Sequence, residues 1–156
     1  MSKRLGTVVS IHTTATAGAA MDSVASALAV PGRGLEGDRH FEPQTNPARQ
    51  RGAGCDVTLI EEEAVEAVCR DYKVALQPNE TRRNVVTRGI ALNHLIGRKF
   101  VVGEVKLAGV ELCEPCGHLA QLTSKTVSRA LVHRGGLRCD VLTEGTIRVG
   151  DAVTAV

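Results

Sequence analysis

The sequence predicts a mainly β protein, a barrel with two or three inserted helices, and three observations lead there. Short β-branched runs recur, at residues 5–12, 56–60, 100–112 and 137–143, each set off by Gly, Pro, Asn or Asp. Only residues 61–74 and 122–133 carry helical spacing. The strands do not alternate with helices, so stacked β-α-β units are not expected and a closed or nearly closed β architecture is. A length of 156 residues predicts one domain, residues 1–156, large enough to bury a core without staples.

Composition narrows the function. Aromatics are 2% of the chain with no Trp, so the core is built from Val, Leu, Ile and Ala, and the exposed rings on which bases stack are missing. A formal charge of +2 is too small to attract a polyanion by bulk field. Nucleic acid is therefore not an expected partner, and any anion site must come from a local group of arginines. No run approaches membrane-spanning length, and no apolar signal core follows the first residues. Five cysteines, Cys55, Cys69, Cys113, Cys116 and Cys139, show no disulfide-framework spacing, which predicts a reduced, cytoplasmic protein.

Taken in order, residues 5–12 form the first strand. Residues 23–30 alternate and precede Pro31-Gly32, which predicts a strand with Val24, Ser26, Leu28 and Val30 on one face. Residues 32–40 follow, with Gly32, Gly34 and Gly37 between Arg33, Asp38, Arg39 and His40. Such a backbone can come close to a ligand, and the side chains add donors and a carboxylate. The same residues equally describe a glycine-rich hairpin with solvated charges, and no Gly-Lys-Ser/Thr makes them a P-loop. Residues 41–54 have the composition of a surface loop or lid.

Residues 61–74 are the best helix, with Ala64, Val65, Val68, Cys69 and Tyr72 on one stripe and Glu61, Glu62 and Glu63 at the positive end of the dipole. Arg82, Arg83 and Asn84 then lead into Val85-Val86. Arginine holds phosphate or carboxylate bidentately, which suggests an anion ligand, although one member of a structural ion pair is the common alternative. In a regular strand the two arginines face opposite sides, so at most one points into a given pocket. Residues 100–112 suggest a hairpin turning at Ala108-Gly109. Residues 122–133 form the second helix, ended by Gly135-Gly136, and residues 137–143, 147–149 and 151–156 are further strands.

The chemistry concentrates at Cys113-Glu114-Pro115-Cys116-Gly117-His118, where a strand ends and a helix is about to begin. A thiolate there gains from free backbone N–H groups, and Pro115 stiffens the turn. A single Cys-x-x-Cys has several uses. Structural zinc needs four ligands, so His118, His133 or Cys139 would have to complete the set, giving a non-enzymatic zinc-stabilised domain. A dithiol oxidoreductase is a second use, although its usual β-α-β setting is missing. A single reactive thiolate that ligates a soft metal or carries sulfur is a third. Two buried thiols without function are the plainest reading.

As a set, the motifs resemble a known family. Residues 34–40 (Gly-Leu-Glu-Gly-Asp-Arg-His), Arg82-Arg83-Asn84, Leu92-Asn93 through Ile96-Gly97, Val102-Gly103, Cys113-Glu114-Pro115-Cys116, Gly135-Gly136-Leu137-Arg138 and Gly150-Asp151 occur in the order and spacing of the MOSC domain, named for the C-terminal domain of molybdenum cofactor sulfurases. The resemblance runs from about Gly6 to Val153. It implies a closed, Greek-key-like β-barrel with a pocket for the molybdenum cofactor, a pterin that carries a phosphate and holds its metal through sulfur. It implies that Cys116 ligates molybdenum or carries persulfide sulfur, assisted by Cys113 and His118. It places Arg39, Arg82, Arg83 and Asn84 near the pterin phosphate, with Asp38, His40 and Arg138 in the same binding region. Pyridoxal phosphate is expected only through a partner cysteine desulfurase, and an electron-donor protein is the other expected partner. A cofactor-dependent reductase and a sulfur-transfer protein are both compatible with these residues.

Overall fold

In the computed structural model, which describes residues 4–41 and 54–156, seven strands close on themselves. They are β1 (Arg4–Thr13), β5 (Val57–Glu61), β6 (Val85–Arg88), β7 (Lys99–Val102), β8 (Val105–Leu112), β9 (Leu137–Val141) and β11 (Ala152–Ala155). Their order round the barrel is β1-β11-β7-β8-β9-β5-β6, and β6 returns to β1. The short β2 (Asp22–Val24) extends β1 outward. A separate three-stranded sheet, β10-β3-β4, is made of β3 (Ser26–Val30), β4 (Gly34–Leu35) and β10 (Gly145–Arg148). This is the mainly β barrel that the sequence predicts.

Every barrel pair is antiparallel except β5 with β6. A parallel pair needs a crossover, and α1 (Glu62–Tyr72) supplies it. The chain thus holds one β-α-β unit, although its sequence shows no alternation; an isolated crossover sets up no repeating pattern.

The barrel interior is a filled core, with Val8, Ile11, Leu59, Val85, Phe100, Val105, Leu107, Leu137 and Val153 all essentially inaccessible. Ala27, Ala29, Leu35 and Ile147 bring the three-stranded sheet into the same cluster. A second core lies outside the barrel wall. There Ile60 and Val86 meet Val65 and Val68 of α1, Leu119 of α2 (Gly117–Leu122), and Val127, Ala130 and Leu131 at and after α3 (Lys125–Ala130). None of the described helices is long and apolar enough to cross a membrane.

Several local expectations are corrected. The helix predicted at 122–133 is shorter, α3 over Lys125–Ala130, and a separate α2 ends at Leu122, where that prediction begins; Ser124 leaves helical conformation between them and caps α3 by accepting from the Val127 N–H at 3.1 Å. The turn between β7 and β8 lies at Gly103 (φ 61°), not at Ala108-Gly109. Gly109 sits inside β8, where a Cβ would come within 2.1 Å of the Leu95 carbonyl oxygen. Residues 23–30 are not one strand: Val24 ends β2 and β3 begins at Ser26, with Ala27 and Ala29 buried and Ser26, Leu28 and Val30 on the other face. Tyr72, expected on the apolar stripe of α1, is exposed at its end. The loop or lid expected at 41–54 lies almost wholly outside the described residues.

Candidate functional site

The cysteine segment leaves β8 and is braced from below. The Cys113 N–H donates to the Gly136 carbonyl at 2.7 Å, and the Cys113 carbonyl accepts from Arg83 Nη2 at 2.8 Å. That backbone tie turns the Cys113 side chain inward, where it is 3% exposed. Glu114 is fixed at both carboxylate oxygens: Oε1 accepts from the His133 N–H at 2.7 Å and Oε2 lies 2.9 Å from His133 Nδ1. After Pro115 the chain is extended at Cys116 (φ −128°, ψ 175°), and this thiol is exposed at the start of α2. One cysteine of the pair is therefore a wall and the other is open.

Glycine is required beneath this loop. A Cβ on Gly135 would come within 2.4 Å of the Cys113 carbonyl oxygen, and one on Gly136 (φ 115°) within 2.1 Å of the Leu59 carbonyl oxygen. Gly135-Gly136 thus does more than end a helix: it lets the strand β5, the cysteine segment and the Arg83 side chain converge.

Arg83 binds these pieces together. It is 7% exposed and donates to three backbone carbonyls: Nε to Gly135 at 2.7 Å, Nη1 to Thr81 at 3.2 Å and Nη2 to Cys113 at 2.8 Å. Burial lowers its basicity, while the neighbouring thiols of Cys113 and Cys116 act the other way. A guanidinium keeps its proton in proteins, so a fixed positive charge lies under the cysteine loop.

Arg82 differs. It stands after the 3-10 turn Pro78–Thr81 in the left-handed conformation (φ 68°). The strand geometry expected for the pair does not apply, and both arginines reach the same cleft. Arg82 Nη1 donates to the Ala19 carbonyl, but Nε and Nη2 are buried and have no partner among the described residues. Burial and the proximity of Arg39 both lower its basicity, with Asp38 opposing.

The cleft measures about 340 Å³. Its wall contains Arg39, His40, Arg82, Arg83, Asn84, Cys113, Cys116, His118 and Arg138, nine of the ten residues expected at the site, and no carboxylate among the described residues. A smaller pocket of about 80 Å³ adjoins it through His40, Thr58, Asn84 and Arg138 and reaches Cys55 and Asp56.

The tenth residue, Asp38, is off the wall. It is buried, accepts from the Thr14 N–H at 3.1 Å and lies 3.5 Å from Arg39 Nη1, so it orients Arg39 from behind. Asn84 also holds scaffold: its Oδ1 accepts from the Thr58 N–H (3.2 Å) and hydroxyl (3.3 Å), and its Nδ2 donates to the His12 carbonyl at 3.1 Å. Thr58 and Leu119 line the cleft without having been expected there. Thr58, a polar residue inside an apolar strand, carried a legible signal; Leu119 looked like any core leucine.

The zinc alternative needs four converging ligands. Among the described residues no three His, Cys, Asp or Glu side chains converge on a metal-sized space. Cys139 is sealed in the barrel, where burial pushes its thiol well up, and His133 is engaged by Glu114. A model of the MOSC domain matches residues 37–154.

The chain belongs to the MOSC domain family. Some members of that family bind the molybdenum cofactor. No curated protein matches the chain in sequence. Its MOSC fold is similar to the solved structure of the YuaD protein from Bacillus subtilis, at 18% identity and a TM-score of 0.81, over 99% of this chain and 97% of that one. It is also similar to YiiM from Geobacillus stearothermophilus (16% identity, TM-score 0.68, 100% and 75% of the two chains) and YiiM from Escherichia coli (17%, 0.67, 96% and 69%). At these identities the likeness is one of fold.

Two features of this MOSC cleft suit a pterin-borne metal. The buried unpartnered N–H groups of Arg82 call for an anion, as a phosphate is. The open thiol of Cys116, which belongs to no ready set of three ligands among the described residues, suits a soft metal that arrives with sulfur ligands of its own.

Proposed function

We propose that the chain binds the molybdenum cofactor in this cleft, with Cys116 as metal ligand or as persulfide carrier. The observation that carries the reading is the meeting, on one wall, of an exposed thiol and a guanidinium two of whose nitrogens have no partner among the described residues. Arg82, Arg39 and Arg138 hold the phosphate. Arg83 lends charge from beneath while it fixes the cysteine loop. His40 and His118 offer ring nitrogens to the pterin or to a substrate. When bound, the cofactor supplies two-electron redox chemistry at molybdenum. An electron-donor protein would serve the reductase role, and a cysteine desulfurase is one source of sulfur for the carrier role.

The test is metal analysis with pterin fluorescence on protein purified from a cofactor-producing host. Wild type retains both, Cys116→Ser retains pterin and loses molybdenum, and Arg82→Gln loses both. Absence of pterin from intact wild type rejects cofactor binding. In that case an added sulfur on Cys116, seen by mass spectrometry after incubation with a desulfurase, separates the carrier role from no role at all.

A further inference from the structure

Carrying sulfur on Cys116 requires a donor, and the walls of the cleft say which chemistry suits one. Sulfur passed from the thiol of another protein needs no cations round the receiving thiol. Here that thiol shares its cleft with four guanidinium groups, those of Arg39, Arg82, Arg83 and Arg138, and among the described residues with no carboxylate. Arg82 Nε and Nη2 are buried donors with no acceptor among the described residues. Arg83 is more than nine-tenths buried, and its three carbonyl bonds hold its charge under the cysteine loop. Asp38 lies off the cleft wall and braces Arg39, and Glu111 lies 3.9 Å from Arg138 Nε.

We propose, on the basis of the persulfide-carrier reading above, that Cys116 takes sulfur from anionic donors of the thiosulfate type, in which a terminal sulfur is bonded to an oxidised sulfur bearing oxygens. Exposed Cys116 releases its thiol proton to bulk water. The thiolate forms a bond to the terminal sulfur of thiosulfate, the sulfur–sulfur bond inside thiosulfate breaks, and its electron pair leaves with sulfite. The cysteine sulfur rises by one formal oxidation level as the departing sulfur falls by one, so no outside oxidant enters. The persulfide then gives its outer sulfur to a nucleophilic acceptor, and the Cys116 thiolate returns.

The guanidinium groups have two tasks in this step. They offset the repulsion between a thiolate and an approaching dianion. They also donate to the oxygens on which charge remains as sulfite departs, which is where preorganised donors accelerate a reaction most. Sulfur passed between neutral or singly charged thiols would use neither.

The experiment gives the purified full chain thiosulfate with cyanide as acceptor and measures thiocyanate. Protein treated with thiosulfate alone is weighed for an added sulfur, and sulfite is measured beside it. Wild type should turn over, with one sulfur on Cys116 and one sulfite per sulfur loaded. Cys116→Ser should give no product, and Cys69→Ala, on the far helix α1, should match wild type. Arg82→Gln and Arg39→Gln should each raise KM for thiosulfate at least about tenfold, the loss of one charge-assisted contact, and wild-type turnover should fall with salt.

Inorganic polysulfide, a dianion with no oxygens for a guanidinium to hold, serves as a second donor. If polysulfide loads Cys116 and thiosulfate does not, the inference is overturned while the carrier reading stands. If neither loads it, both fall. If both arginine variants react with thiosulfate as wild type does, the assignment of the guanidinium groups is wrong and the inference falls with it. Because polysulfide loading also reports a folded, open cleft, a variant that only misfolds is recognised.

Discussion

Arg82 and Arg83 are neighbours with opposite situations. Arg83 has its N–H groups on three carbonyls, whereas Arg82 reaches one, that of Ala19, and has two buried N–H positions without acceptors among the described residues. Arg83→Gln should therefore destabilise the fold by roughly 3 kcal/mol or more, since each buried carbonyl left unpaired costs about 1–3 kcal/mol. A chemical denaturation midpoint measures this. Arg82→Gln should lower that midpoint less, because it gives up one bond, to the Ala19 carbonyl, and otherwise only buried donors that have no partner among the described residues, while lowering affinity for a bound anion roughly tenfold to a hundredfold. Equal losses of stability would refute the division of roles. The sequence marks both residues as anion candidates; it does not reveal that Arg82 is left-handed, which is what brings two adjacent side chains to one cleft.

His12 gives the residue scale a pH signature. It is buried, with the Ser10 hydroxyl 2.9 Å from Nε2 and the Ser23 hydroxyl 3.2 Å from Nδ1, and burial lowers its pKa below the ordinary 6.5. The unfolded chain then binds a proton that the folded chain resists. Stability should be full above about pH 6.5 and fall as the pH drops from there through the folded-state value. Glu61 acts the opposite way at more acid pH: burial raises its pKa, so its contribution is lost as pH rises through the folded-state value. Urea titrations of wild type and His12→Gln between about pH 7 and 5.5 separate the two, because the variant should lose the upper part of the slope.

At the scale of the element, the cleft depends on close approaches that side-chain type alone does not announce. Gly136 combines φ 115° with a 2.1 Å approach of its would-be Cβ to the Leu59 carbonyl oxygen. Gly136→Ala should cost at least about 2 kcal/mol through backbone strain and displacement of β5. Its Cys116 should also react with alkylating agents at an altered rate, because the Cys113 N–H hangs from the Gly136 carbonyl. Ser124→Ala should cost about 1 kcal/mol through loss of the α3 cap, and leave that rate unchanged. The Gly-Gly pair is visible in the sequence as a helix stop. Its partner across the fold is not, because Leu59 lies 77 residues earlier in the chain. The same blindness explains the misplaced turn: Gly109 and Gly103 look alike as letters, and only the Leu95 carbonyl beside Gly109 distinguishes a strand glycine from a turn glycine.

At the scale of the molecule, closure comes from β1, which pairs with β11 on one side and β6 on the other. A closed barrel opens as a unit, whereas α2 and α3 are short and packed outside it. Native-state hydrogen exchange should show amides of β1, β7, β8, β9 and β11 exchanging only with global unfolding, and those of α2 and α3 exchanging earlier. Equal protection would mean that the helical layer belongs to the same cooperative unit. Early exchange at α2 would also show that the Cys116 end of the site is set on the softer part of the fold, which is suited to admitting a bulky guest.

The chain by itself determined the β-rich character, the position of α1 and the identity of nine wall residues, because these rest on local periodicity, on residue chemistry and on the order of short motifs. Only the tertiary structure decided which cysteine is open, which arginine is unpartnered and that Asp38 stands behind the wall. Each of those follows from a hydrogen bond or a steric approach between segments far apart in sequence, and such contacts leave no local pattern to read.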